Sequence, residues 1–370
     1  MPRSPRSLGY PLMVMALILA AHMPAAASTA PPHRPSPPRP WVKLCLKLKT
    51  QPRHKRIRCS IPPKPRERRG ASAERSALTP TINEISIPTS PATPVGIASG
   101  PDDNVWFTEN AGNKIGKVTT AGVFTEYSLP TADSQPAHIT AGPDGLLWFT
   151  EATGNRIGKI TTSGTITEYT LPVSGSYPWS ITSGPDGNLW FTEPDANKVA
   201  KITTSGTITE YTLPTSGAYP LFITAGPDGN LWFTEPLLGK VARITTGGTV
   251  TEFTAPSGAM PLGITTGADG NLWYGDGNGK VGSVTTTGTF TDYSLTDPNA
   301  LPWGMTLGLD GNVRFAEQSA GKVASVTTTG TVSEYALPTS VAGPLQLTVA
   351  SDDNLWVTED YVDKLAVVTP

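Results

Sequence analysis

Cysteine and histidine are scarce in this sequence, with two and four residues among 370. That scarcity excludes a disulfide-dense scaffold and arrays of zinc modules, which take their ligands in sets. Long apolar runs are missing as well. The run from Leu12 to Ala21 falls short of the roughly 20 residues that cross a bilayer, and no later segment comes closer. No phosphate loop, no serine elbow and no Cys or His pair at metal spacing is present. Gly and Pro number 37 each, so roughly one residue in five interrupts regular structure and extended helices are excluded. The composition leaves many short strands joined by turns.

The formal net charge of −2 hides an asymmetry. Between Pro31 and Arg75, 14 Lys and Arg stand against Glu67 and Glu74; from Ser76 onward, 12 basic residues stand against 28 acidic ones. The first 27 residues read as a signal peptide. Arg3 and Arg6 precede the apolar run, and Ala25-Ala26-Ala27 offers a cleavage site. The mature chain is therefore expected to be secreted or in the cell envelope, with no transmembrane helix and as a monomer. Residues 28–80 form a basic, Pro- and Arg-rich arm that cannot bury enough apolar surface to fold alone. Within it Val42, Leu44, Leu46 and Leu48 alternate with polar residues as in a strand. Cys45 and Cys59 suit a disulfide closing a small hairpin; a zinc site with His54 is the alternative. The arm's charge suits an anionic cell-surface polymer or lipid headgroups. The alternative is a solvated linker. Nucleic acid is not expected, because no base-reading module is present.

From Pro94 one phrase recurs: GPDGNLWFTE, then NKIGKITT, then SGTITEYTLP. The aromatic anchor falls at Trp106, Trp148, Trp190, Trp232, Trp273, position 314 (here Arg314) and Trp356, at spacings of 41 or 42. Such a period, with four short strands in each copy, predicts an all-β, seven-bladed β-propeller over residues 81–370. The last copy stops after its third strand. The segment Thr81-Ile82-Asn83-Glu84-Ile85-Ser86-Ile87-Pro88 matches the fourth-strand phrase, so the N-terminal strand is expected to complete the last blade. The repeated Trp is expected between blades. The repeated Glu (Glu109, Glu151, Glu193, Glu235) is expected to pair across its hairpin with Lys114, Arg156, Lys198 and Lys240.

A binding site occupies one place in the ring, so function should lie where the repeat is broken. Two slots follow the Pro that opens each blade. The first reads Val95, Ala137, Trp179, Leu221, Leu262, Trp303 and Leu345. The second reads Gly96, His138, Ser180, Phe222, Gly263, Gly304 and Gln346. Trp179, Trp303, Phe222 and Gln346 are the candidate ligand contacts, forming an aromatic channel mouth for a small or cyclic ligand; alternatively the indoles plug the channel as core. His138 is the only histidine of the propeller and a candidate acid–base group. Arg314 is either a ligand-facing cation or the mark of a relaxed sixth blade. The loop Gly275-Asp276-Gly277-Asn278-Gly279 has too few carboxylates for calcium.

With these phrases in seven copies, the chain resembles the streptogramin lyases, also called virginiamycin B lyases, over about residues 81–370. The resemblance implies a magnesium-dependent carbon–oxygen lyase that opens a cyclic depsipeptide lactone by elimination, and hence a role in antibiotic resistance. It also implies histidines directly after the blade-opening Pro in two late blades, a Glu before one such Pro and a Glu in the last blade's second strand. Here the first-slot positions of the last three blades are Leu262, Trp303 and Leu345, preceded across the Pro by Met260, Leu301 and Gly343. Only the last-blade acid has counterparts, Glu359 or Asp360, which are the candidate metal ligands. Asp360 and His138 are the remaining catalytic candidates. A ligand-binding propeller without the family's catalytic histidines, needing no cofactor, is expected ahead of an active lyase.

Overall fold

In a computed structural model, residues 80–369 are described. Cys45 and Cys59, the arm and the leader lie outside them. The described residues form 28 strands in seven four-stranded antiparallel sheets, with one 3-10 turn at Pro236–Leu238. This is the seven-bladed propeller that the repeat predicts. Blade 2 shows the plan: Pro136–Ala141, Leu147–Glu151, Arg156–Ile160 and Ile166–Thr170 pair in that order. The Asp144-Gly145 turn joins the first pair, with Gly145 at φ +73, a conformation glycine adopts without cost.

Ring closure follows the sequence. Thr81–Ser86 runs antiparallel to Lys364–Thr369, in register from Thr81↔Thr369 to Ser86↔Lys364. The first strand thus becomes the fourth strand of blade 7, and the two ends of the described chain are held in one sheet.

Each blade is locked to the next by its apolar face. Trp148 packs against Leu189, Phe191 and Ala200 of blade 3. Its indole N–H donates to Asp144 Oδ1 at 3.0 Å, and its ring stacks on Tyr169 at 5.8 Å. The Lys159 ammonium sits 5.0 Å from the Trp148 ring centre and donates to the Thr204 carbonyl of blade 3 at 3.0 Å. Trp106 and Trp190 repeat this arrangement, so the repeated Trp is an inter-blade residue.

The expected Glu–Lys pairing is corrected. Lys114 pairs with Glu126 of the fourth strand at 2.7 Å, and Lys322 with Glu334 and Lys364 with Glu84 likewise at 2.7 Å. Lys198 and Lys240 pair with Glu210 and Glu252, and Arg156 lies 3.8 Å from Glu168. The Glu directly opposite each cation in register is fully buried (Glu109, Glu151, Glu193, Glu235, Glu317 and Glu359). A long cationic stem keeps its charged tip near water and so reaches the outer carboxylate instead.

Blade 6 is irregular where its Trp is missing. Arg314 donates to Asp310 Oδ2 at 2.6 Å, the position whose carboxylate receives the indole N–H elsewhere. It faces its own turn, at the opposite end of the hairpin from Trp303. In blade 5 the loop carboxylate of Asp276 is buried and accepts the N–H of Met260 at 2.9 Å and of Asn278 at 3.1 Å.

Candidate functional site

The first strand of every blade lies innermost, and the two slots begin it. Plain alternation would send neighbouring slots to opposite faces. The register instead shifts at the slots, between Pro136 and Ile139 in blade 2 and between Pro302 and Met305 in blade 6. Such a bulge re-aims side chains. Blades 3 and 4 carry no such shift; there the slots precede strands that begin at Ile181 and Ile223. Residues from both slots meet in one cluster.

Four blades build that cluster. His138 of blade 2 lies 5.5 Å from the Trp179 ring of blade 3 and 5.1 Å from the Phe222 ring of blade 4. Phe222 in turn meets Trp303 of blade 6 edge-on at 5.5 Å. All four side chains are at least nine-tenths buried. They form a packed aromatic layer across the innermost strands rather than an open rim.

Threonine hydroxyls hold this layer. Thr150 Oγ1 accepts the N–H of His138 at 3.0 Å and donates to the Trp179 carbonyl at 2.7 Å. Thr192 does the same between Ser180 and Leu221, and Thr358 between Gln346 and Val95, across the closure of the ring. One hydroxyl therefore fixes the second slot of its own blade and the first slot of the next. Blades 5 and 6 have Gly275 and Ala316 at this place and lack the hydroxyl. There the backbones close up instead: a Cβ on Gly263 would stand 1.7 Å from the Trp303 carbonyl oxygen. Only glycine permits that approach.

The polar atoms of the layer lack partners. Trp179 Nε1, Trp303 Nε1 and His138 Nε2 are buried without a hydrogen bond. Burial pushes the His138 imidazole down to about 3, so it is neutral at physiological pH. Gln346 is half-buried and lies over Gly304, its Oε1 2.6 Å from where a Cβ would stand.

The last-blade acids stand apart from the aromatic layer's ring contacts. Glu359 is fully buried, and burial with the nearby Glu84 charge pushes it up to about 8. Asp360 is nine-tenths buried, its Oδ1 has no partner, and burial together with Asp363 pushes it up to about 7. Among the described residues, no three His, Cys, Asp or Glu gather into a set that could hold a metal ion. Magnesium takes one or two carboxylates and keeps several waters, so Glu359 and Asp360 are the residues that would hold it.

One element of the site escaped the sequence reading. Tyr177, directly before the blade-opening Pro, lies parallel to Trp179 at 6.3 Å and 6°. It adopts φ +55, as Thr93, Gln135 and Tyr219 do at the same place near +50, while blade 7 has Gly343 at +62. Left-handed backbone costs roughly 1 kcal/mol or more in a non-glycine residue. The Tyr-Pro pairs of blades 3 and 4 were the signal available in the sequence.

The comparisons with known proteins agree with this architecture. The model of the Virginiamycin B lyase family matches residues 80–368. A streptogramin B lyase structure is 37% identical with a TM-score of 0.75, covering 78% of this chain and 97% of its own. Selenomethionine-substituted virginiamycin B lyase from Staphylococcus aureus is 37% identical with a TM-score of 0.76, covering 79% of this chain and 100% of its own. A catalytically inactive variant of that enzyme with quinupristin matches equally well. By the match across its seven blades, this chain belongs to the virginiamycin B lyase family.

Proposed function

We propose that this propeller binds a small or cyclic ligand against the aromatic layer and does not carry out the ring-opening elimination. The observation that carries the reading is the set Leu262, Trp303 and Leu345 at the first slots of the last three blades. Elimination from a lactone needs a group that removes the proton next to the carbonyl and an acid that assists the leaving oxygen. None of these three side chains can move a proton. His138, enclosed by Trp179 and Phe222, holds one only in strong acid.

A second reading, a magnesium-dependent lyase, is favoured by one feature. Glu359 and Asp360 are neighbouring acids in the last blade whose carboxyls are pushed up to about 8 and 7, the range of a working acid–base pair. The two readings separate on incubation of the full chain with a cyclic depsipeptide lactone, with and without magnesium. Liquid chromatography with mass spectrometry is expected to recover the substrate unaltered. A product of unchanged mass and shifted retention would establish elimination and overturn the binding reading.

The chain is also proposed to act outside the cytoplasm, with its basic arm on an anionic surface polymer. The leader-like first 27 residues and the charge of residues 31–75 support this. Fractionation of the producing cells is expected to find the protein in the envelope or medium; a cytosolic pool would contradict it.

A further inference from the structure

The seams between blades are not equally made. Five of them each hold a buried Trp from one blade in a cluster with a buried Phe from the next, as Trp148 and Phe191 are held between blades 2 and 3. Between blades 6 and 7 both are missing. Arg314 and Val357 stand in their places, and the buried cluster there is aliphatic throughout. Such a seam forgoes the large buried area and ring contacts that aromatic side chains supply. Two polar fasteners are missing as well. In blade 1 the Thr108 hydroxyl accepts the Gly96 N–H at 2.8 Å and donates to the Ala137 carbonyl of blade 2 at 2.7 Å; blade 6 has Ala316 at that place. Lys117 and Lys159 reach turn carbonyls of the following blade, each at 3.0 Å; blade 6 has Ser325 there. Among the described residues, the side-chain hydrogen bonds across this seam are those of Thr339 at the rim, which donates to Glu84 and accepts from Lys364. The seam between blades 7 and 1, next to the strand pairing that closes the ring, is better fastened. Trp356 and Phe107 fill its core, Thr358 donates to the Val95 carbonyl at 2.9 Å, and Ser351 donates to the Asp103 carbonyl at 2.8 Å.

We infer that the ring opens first between blades 6 and 7, in a local opening that leaves the other seams and the closing strand pair intact. Proteins open locally where buried apolar contact is poorest, and here the aromatic pair, the hydroxyl and the cation are all absent from one seam. The weak place is thus an interior seam rather than the place where the two ends of the chain meet. Blade 6 carries Trp303, so the open seam uncovers that side of the aromatic layer.

Thiol labelling of the folded full chain tests it. Ala200, Ala242, Ala324 and Ala366 occupy the same place on the third strands of blades 3, 4, 6 and 7. All four are buried, and each packs in the seam with the preceding blade. Val105 is buried in the seam between blades 7 and 1. Each is replaced singly by Cys, and alkylation with N-ethylmaleimide in native buffer is followed by peptide mapping, which separates the introduced thiol from Cys45 and Cys59. Ala366→Cys is expected to label at least about tenfold faster than Ala200→Cys and Ala242→Cys, and faster than Ala324→Cys and Val105→Cys. Adding Ala316→Thr to Ala366→Cys supplies the missing hydroxyl. The cradle for it is present, because a Cβ on Gly304 would stand 2.5 Å from the Leu345 carbonyl oxygen, as one on Gly96 would from that of Ala137. The added hydroxyl is expected to slow labelling at position 366 about fivefold. Melting curves check that each variant is folded, and Val323→Cys, on the blade 6 side of the same seam, repeats the measurement if Ala366→Cys is not. Equal labelling at the four alanine positions, or fastest labelling at position 105, would overturn the inference. So would a rate at position 366 that the added hydroxyl leaves unmoved.

Discussion

His138 is the only histidine among the described residues, and burial pushes its imidazole down to about 3. Its surroundings explain the direction: the rings of Trp179 and Phe222 displace the water that would hydrate an imidazolium. The unfolded chain carries this group at its ordinary value of 6.5. Below that value the unfolded state binds a proton that the folded state refuses. The residue thus contributes stability that is present above pH 6.5 and lost as pH falls toward 3. The imidazole carbon and nitrogen shifts of His138 are expected to stay flat between pH 5 and 8 when followed by NMR. A titration midpoint near 6.5 would mean that water reaches the ring and would restore His138 as an acid–base candidate.

Blades differ in how completely they carry their own fasteners. Blades 1 to 4 each have a Trp, a Lys or Arg over it and a fourth-strand aromatic beneath it. Blade 6 has Arg314 and Ser325 at the first two places, while Tyr335 keeps the third. Asp310, which would receive an indole N–H, is already in position. Arg314→Trp is therefore expected to raise stability by about 1 kcal/mol, or roughly 2–4 °C in melting temperature, measured by calorimetry. A fall in melting temperature would show that the seam between blades 6 and 7 has closed around the arginine. The blades were legible in the sequence because one phrase is written seven times, and even the seam was written, in the early copy of the fourth strand at Thr81–Ser86. The candidate site was legible only as a set of departures at Trp179, Trp303, Phe222 and His138. Their convergence depends on a bulge at His138 and Trp303 and on irregular backbone at Trp179 and Phe222, neither of which alternation foretells. The partner of Lys114 was misread for a related reason. Register places Glu109 opposite it, but burial, not register, decides which carboxylate a cation can reach.

Six buried glutamates, one in each blade except the fifth, give the ring a common response to pH. Glu109, Glu151, Glu193, Glu235 and Glu317 are pushed up to about 7 and Glu359 to about 8, chiefly by burial. Outer acids add to the rise: Glu126 and Asp363 beside Glu109, Glu210 beside Glu193, Glu252 beside Glu235, and Glu334 beside Glu317. The paired cations Lys114, Lys198, Lys240 and Lys322 oppose it without prevailing. No ordinary hydrogen bond reaches any of the twelve oxygens, and the nearby hydroxyls of Thr89, Ser134 and Ser176 favour the charged forms of Glu109, Glu151 and Glu193 without offsetting burial. Between the ordinary carboxyl value of 4.5 and about 7, the folded ring binds protons that the unfolded chain has released. The stability these groups add is full below pH 4.5 and is lost as pH rises through 7 to 8. The outer acids act in the opposite sense. Burial pushes Glu84, Glu126, Glu252 and Glu334 up, but hydrogen bonds from lysine and threonine outweigh it and hold them below their ordinary value. Their contribution is lost only in acid below about 4.5; the loss at His138 begins already at 6.5, but one histidine is outweighed at pH 5 by six glutamates. The propeller is thus expected to melt higher at pH 5 than at pH 8. Glu151→Gln, which keeps the shape but cannot ionise, is expected to raise the melting temperature at pH 8 by roughly 2–4 °C and to change it little at pH 5. A melting temperature that climbs from pH 5 to pH 8, with the Gln variant tracking the parent throughout, would show that these carboxyls ionise freely in the folded ring and that water reaches them between the blades.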